Sequence, residues 1–319
     1  MVTLWDTTGG DVVSALAAER RVAGAVTSGL ALTLVVSVDE PRVAEATQAA
    51  AAAAAAHPCR LLVVVRRSLD SDNRLDAEVS IGGRFGPAES VVLRMWGRLT
   101  LHAESVVLPL LAPDAPVVTW WHGPPPEQIA TDPLGVLADR RITDCVQAAD
   151  PLAALRARAD DYAPGDTDLA WARTTRWRSL LASTFDTSPG TATAGRVAAE
   201  AGSPTAALLA GWLRARLGVP VEQETSDGPG ITGVAVDVDG DRVTIDRPDG
   251  QVTILSLPGQ PERRLPLGRR DLGDLLAEEV RRLDADEPYA DALSAATGVS
   301  GLQDRAPRRR HIWREPAAS

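Results

Sequence analysis

The stretch Leu30-Ala31-Leu32-Thr33-Leu34-Val35-Val36-Ser37-Val38, continued by Asp39-Glu40-Pro41, by Arg42 to Ala56 and by Arg60-Leu61-Leu62-Val63-Val64-Val65, decides the fold. Its first block is nearly continuous β-prone hydrophobe, the composition of a strand buried on both faces. Asp39 and Pro41 are helix start signals. The helix they open carries eight consecutive alanines, Ala49 to Ala56, whose small side chains let it lie close on a sheet. Arg60 to Val65 is a second apolar strand, and strand, helix, strand in this order predicts a parallel sheet.

Working outward, Leu75 to Ile81 and Val91 to Leu101 read as further strands. In the second, Val91, Leu93, Met95, Leu99 and Leu101 alternate with Arg94, Trp96, Arg98 and Thr100, the pattern of a half-exposed strand. Glu104 to Leu111 suggests a short helix, Pro116 to Trp121 a strand stopped by His122-Gly123-Pro124-Pro125-Pro126, and Arg141 to Val146 one more strand. The polar run Asp160 to Thr167 carries turn residues and a helix cap, and the boundary between domains is placed there.

Beyond it, Ser203-Pro204 starts a helix whose Leu209, Leu213 and Leu217 recur at helical spacing beside Trp212, and Gly218 closes it. Val234 to Val238, Val243 to Ile245 and Val252 to Ile254 form a meander punctuated by Asp239-Gly240 and Asp249-Gly250, which are hairpin signals. A last helix spans Asp271 to Leu283. The expected fold is α/β: a three-layer-like N-terminal domain (1–165) with a mainly parallel or mixed sheet, then a smaller α+β domain (166–300) with an antiparallel meander. Residues 301–319 form a basic tail, with Arg305, Arg308, Arg309, Arg310, His311 and Arg314, expected to be solvated and flexible.

With 319 residues and 45% hydrophobic content, the chain can bury a sizeable core. All 33 basic residues are arginine, and 43 acidic residues set the formal net charge at -10. Without lysine there is no phosphate-loop lysine and no Schiff-base lysine, which removes several enzyme classes. Net acidity argues against nucleic acid, whose phosphates demand a clustered positive face. Cys59 and Cys145 show no disulfide framework, in keeping with a reducing compartment. The N-terminus lacks a basic stretch followed by an apolar core, and Leu30 to Val38 is too short to span a bilayer. The expectation is a soluble cytoplasmic protein without membrane contact.

Catalytic motifs are mostly absent. Gly228-Pro229-Gly230-Ile231-Thr232-Gly233 matches the dinucleotide fingerprint in letters, but it leads into the Val234 strand, whereas a phosphate-cradling turn must open a helix. There is no Gly-x-Ser-x-Gly elbow and no His-Glu-x-x-His helix. His57, Cys59, His102, His122 and Cys145 have no zinc spacing, so neither a metal nor a cofactor is expected. In His57-Pro58-Cys59-Arg60 the neighbouring His and Arg suit a reactive thiolate, but a small buried hydrophobe is the favoured reading of Cys59. Arg60, at the strand start, is a candidate anion contact.

Two segments concentrate residues that gain most from desolvated contact. Trp120-Trp121-His122 ends a strand, where open α/β sheets place their binding crevice. Strand neighbours point to opposite faces, so one ring is expected to pack inward and the other to be available. Arg98 and His102 are expected on the same rim. Asp168 to Arg178 holds two tryptophans and three arginines in eleven residues. There Arg173 and Trp177, four apart, are expected to stack on a helix. Arg176 and Arg178 are expected to face outward, and gluing of two domains by Trp177 and Leu181 is as strong a reading as partner contact. Candidate partner-binding residues are thus His57, Arg60, Arg98, His102, Trp120, Trp121, His122, Trp171, Arg173, Arg176, Trp177 and Arg178. No catalytic residue is assigned. An alternative reading is a sugar-phosphate or nucleotide sensor using arginines in the N-terminal crevice.

On His57-Pro58-Cys59-Arg60, on Ser105 through Leu110 to Trp120-Trp121, and on Asp168-Leu169 with Trp171, Arg173, Trp177 and Arg178, the chain resembles the OpcA family of glucose-6-phosphate dehydrogenase assembly proteins, in its actinobacterial form. The resemblance implies a noncatalytic assembly factor or allosteric activator of that dehydrogenase in the oxidative pentose phosphate pathway, and carries over no active site. Cyanobacterial members are associated with redox control, which two cysteines do not favour here. No oligomeric state is implied.

Overall fold

The computed structural model describes residues 1–23, 30–82, 89–187 and 190–307. The opening unit forms as read: β2 (Leu32–Val38), a 3-10 turn over Glu40–Arg42, α2 (Val43–Ala56) and β3 (Cys59–Arg66), with β2 and β3 parallel. Successive residues alternate between two cores. Leu34, Val36, Leu61, Val63 and Trp120 face one side, while Val35, Leu62, Val64, Val91 and Trp121 face the other. Both faces are covered by helices, which is why the run is continuously apolar.

Around this unit lie β1 (Val2–Leu4), β4 (Arg74–Ile81), β5 (Glu89–Trp96), β6 (Val117–His122), β7 (Arg140–Thr143) and β8 (Asp166–Asp168). The sheet order is β1-β4-β5-β3-β2-β6-β7-β8. Strands β5 through β8 in that order are all parallel, and β1 and β4 add antiparallel pairs at one edge. After the edge strand β1, the chain enters the centre with β2, builds outward to β5, returns beside β2 as β6 and continues to β8. This is the strand order of a doubly wound dinucleotide-binding sheet, with its switch point between β2 and β6. Helices α1 (Gly9–Val22) and α3 (Ala103–Val107) cover one face; α2 and α9 (Leu272–Val280) cover the other. A capping box in which Thr8 and Asp11 exchange hydrogen bonds starts α1.

The remaining elements are α4 (Pro133–Val136), α5 (Pro151–Asp161), α6 (Leu169–Ala172), α7 (Thr175–Thr187), β9 (Ala192–Ala199), α8 (Pro204–Leu217), β10 (Val221–Thr225), β11 (Ile231–Val238), β12 (Asp241–Asp246), β13 (Val252–Ser256), β14 (Arg263–Pro266) and α10 (Glu287–Thr297). The second sheet runs β10-β9-β11-β12-β13-β14. The meander is present, and Asp239 and Gly240 both adopt the positive φ that its tight turn requires. It is extended by β9 and β10, a parallel pair joined through α8, so the sheet is mixed. Ser203 caps α8, and Gly218 ends it in the left-handed conformation.

Two local expectations are corrected. The strand read through Leu101 stops at Trp96, because Gly97 takes φ +65 and the chain enters a 3-10 turn; a Cβ there would lie 2.5 Å from Asn73 Oδ1. Cys145, read in a strand, sits in a 3-10 turn capped by Asp144, although it is buried as expected. In the polar run Asp160 to Thr167, Ala163, Asp166 and Thr167 are buried, and β8 closes the larger sheet. Of the basic tail, Arg308, Arg309, Arg310, His311 and Arg314 lie outside the described residues. Among the described residues no helix is long and apolar enough to cross a membrane.

Candidate functional site

The Asp168 segment is the joint between the two sheets. Asp168 ends β8 and caps α6, accepting from the Ala170 amide at 2.8 Å, the Cys145 amide at 3.0 Å and Thr143 Oγ1 at 2.6 Å. Helix α6 lasts one turn, and the chain restarts as α7 at Thr175. Trp171 is buried between α5, α8 and α10, beside Leu208, Tyr289 and Leu293, and its indole donates to Asp286 Oδ2 at 2.9 Å. The Arg178 guanidinium lies over the Trp171 ring, 3.6 Å from its centroid. Arg178 also donates to Thr174 Oγ1 at 2.8 Å and Thr175 Oγ1 at 2.9 Å. Burial lowers the Arg178 pKa to about 10, against the pull of Asp286 and Glu278.

The predicted stack of Arg173 on Trp177 is replaced by other pairs. Arg173 is held by both oxygens of Asp144, at 2.7 and 2.8 Å. Trp177 packs with Leu181 in the core of the second sheet, with the Arg247 guanidinium 5.0 Å from its ring. Arg178, expected outside, is half-buried; Arg176 is exposed as expected and donates to Gly268 O at 3.2 Å.

The other candidates lie apart. Trp120 and Trp121 are both buried, at 0% and 2% exposure, one in each core, so neither ring is available at the surface. His122 is buried beside Trp120, with Nε2 at 3.2 Å from Glu45 Oε2. Arg60 is no open anion contact: it donates to Glu89 Oε2 at 2.6 Å and Leu110 O at 2.7 Å, and Arg20 meets the same carboxylate. Burial raises the Glu89 pKa, but the hydrogen bonds from Arg20 and Arg60 outweigh it and hold the carboxyl below the usual range. Buried Arg140 and Arg141 are paired with Glu279 and Asp166. His57 follows α2, half-buried. Arg98 and His102 line a cleft with Asp6 to Gly9 and Asn73 to Leu75, away from Trp120 to His122. Burial pushes the Cys59 thiol up to about 12, which makes it inert rather than nucleophilic.

The switch point lacks the turn that a dinucleotide requires. A pyrophosphate needs a glycine-rich turn opening the helix after the first strand. Here that turn is Asp39-Glu40-Pro41-Arg42, and a Cβ on Gly123 at the end of β6 would lie 2.7 Å from Arg42 Nη1. The Arg42 guanidinium and the Asp39 carboxylate lie against Gly123 where the pyrophosphate would sit, and these residues do not fit the group. The glycine-rich fingerprint at Gly228 leads into β11, as its context predicted. Among the described residues no group of three His, Cys, Asp or Glu is placed to hold a metal ion.

Next to the joint is a cleft that sequence reasoning missed, of ≈ 220 Å³, lined by Arg173, Arg176, Arg247, Arg269 and Arg270, with Glu200 and the apolar groups Trp177, Ile231, Leu267 and Leu275. Its arginines come from the end of α6, from α7, from the end of β12 and from the loop before α9. Arg247 stands inside Arg247-Pro248-Asp249-Gly250, which reads as a turn, so nothing local marks it as part of a site.

A family model described as the glucose-6-phosphate dehydrogenase subunit N-terminal domain matches residues 50–160, and one described as the C-terminal domain of that subunit matches residues 164–293. No curated protein matches the chain. Among solved structures, the chain is similar to KijD10, a 3-ketoreductase from Actinomadura kijaniata, at 12% identity and a TM-score of 0.45, over 89% of this chain and 100% of that one. An oxidoreductase from Sinorhizobium meliloti matches at 10% identity and a TM-score of 0.39, over 88% of this chain and 91% of that one.

Proposed function

Because this chain belongs to the OpcA family of glucose-6-phosphate dehydrogenase subunits, we propose that it is a noncatalytic, cytoplasmic partner of that dehydrogenase, promoting its assembly or acting as its allosteric activator in the oxidative pentose phosphate pathway. The observation that carries this reading is the pair of family matches, which together run from residue 50 to residue 293 and include strands of both sheets. The filled crevice between β2 and β6 supports it, since the sheet order of a cofactor-binding fold is kept without the turn that holds the cofactor.

An activator must bind the active state of its target more tightly than the inactive one; equal affinity shifts nothing. Such discrimination demands a rigid surface, and the joint supplies rigidity: Trp171, Arg173, Trp177 and Arg178 are satisfied internally and fix where Arg176 and Val146 emerge. These two, one charged and one apolar, sit where the halves meet and are assigned to the contact face. The test is co-elution of the purified dehydrogenase with this chain. A complex weakened by Arg176→Glu, with folding intact, is expected; separate elution of the two unmodified proteins would refute the partnership.

A further inference from the structure

We propose that the arginine-lined cleft between α7, the end of β12 and the loop before α9 binds a small hydroxylated phosphate monoester, a molecule of the sugar-phosphate class, with its phosphate held by Arg176, Arg247 and Arg269. This inference does not depend on the dehydrogenase partnership.

Charge is the first argument. Of the five lining arginines, Arg173 is neutralised by Asp144 and Arg270 by Glu278. Among the described residues, Arg176, Arg247 and Arg269 donate only to main-chain carbonyls, those of Gly268, of Leu267 and Ile231, and of Pro229. Glu200 lines the same cleft, and Asp249 attracts Arg247 from the adjoining one without a hydrogen bond to it. Arg247 is the telling member. It is 7% exposed, and its Nε has no hydrogen-bond partner among the described residues. A buried guanidinium with no carboxylate bonded to it is costly, whereas buried Arg60, Arg140 and Arg141 each form an ion pair with one. A dianionic phosphate offers three acceptor oxygens to this set, and arginine forks match its geometry.

Size and surroundings narrow the ligand. At ≈ 220 Å³ the cleft is smaller than pockets for drug-sized molecules, which start at about 300 Å³. A wider cleft of ≈ 700 Å³ shares Pro229, Ile231, Arg247, Gly268 and Arg269, and adds Asp227 and Asp249. Carboxylates there accept hydrogen bonds from hydroxyls and repel further phosphates. A monoester with a hydroxylated carbon chain therefore satisfies both ends, whereas a nucleoside triphosphate does not.

Calorimetric titration of the full chain with glucose 6-phosphate, glycerol 3-phosphate, inorganic phosphate and glucose tests this. Saturable binding of both esters, weaker binding of inorganic phosphate and none of glucose are expected. Arg176→Gln with Arg269→Gln, both exposed and so expected to fold normally, should weaken ester binding by at least about tenfold, the loss of a charge-assisted hydrogen bond. Absence of saturable ester binding, equal binding of glucose, or unchanged affinity in a normally melting double variant would overturn the proposal. So would capture of a phosphorylated peptide with no affinity for any free ester.

Discussion

Arg178 and Trp171 show how much of the joint rests on single side chains. The ring is 1% exposed and the guanidinium covers it. Trp171→Ala is expected to cost about 3–5 kcal/mol, as for other fully buried aromatics. Arg178→Ala is expected to cost about 1–3 kcal/mol, from lost hydrogen bonds and cation-π contact. Arg178→Lys should recover only a minor part, because an ammonium cannot lie flat on the ring and reach both threonines. Chemical denaturation checks the order Trp171→Ala, Arg178→Ala, Arg178→Lys, wild type. Composition alone located this segment, since so many Trp and Arg residues in eleven positions stand out in a chain that is 4% aromatic. The pairing was not legible. Helical spacing suggested Arg173 with Trp177, but Asp144 and Arg247, distant in sequence, claim those two residues, and the chain forms two helices, α6 and α7, rather than one.

At the level of elements, the alanine run explains a close helix crossing. The apolar face of α2 is built from Ala46, Ala49, Ala50, Ala53 and Ala54, and α9 packs against it. At Gly273 a Cβ would lie 2.5 Å from Ala52 Cβ and 3.2 Å from Ala49 O. Gly273→Ala is therefore expected to push α9 off α2 and destabilise the protein by about 1–3 kcal/mol, despite the gain in helix propensity. A variant as stable as the wild type would show that the crossing is looser than described. The β2-α2-β3 unit and the meander were legible because apolar runs and Asp-Gly turns are local signals. Strand β9 was not, since Ala192 to Ala199 is rich in alanine and glycine, which disfavour strands; its place is set by β10 and β11 on either side. Helix α10 was also missed, although Asp286 caps it and Gly298 ends it.

For the whole molecule, helices link the two sheets: α8 buries Leu209 and Leu213 against the second sheet and Leu208 against α10, α9 covers the first sheet, and α6 packs against both α8 and α9. The buried Glu89 ion pair makes the assembly sensitive to acid. The Glu89 pKa is below its unfolded value, so its stabilisation is complete above the usual glutamate range and is lost as pH falls through the folded value. Glu89→Gln, which strands Arg60, is expected to cost about 3–5 kcal/mol near neutral pH, and the gap from wild type should narrow in acid. A gap independent of pH would contradict that assignment.

The partnership itself is most directly tested by the rate of glucose 6-phosphate oxidation at fixed purified dehydrogenase, measured while this chain is titrated in. A saturable rise to a stoichiometric end point, with no turnover by the chain alone, is predicted. A rate that stays flat throughout the titration, or oxidation by the isolated chain, would contradict the account.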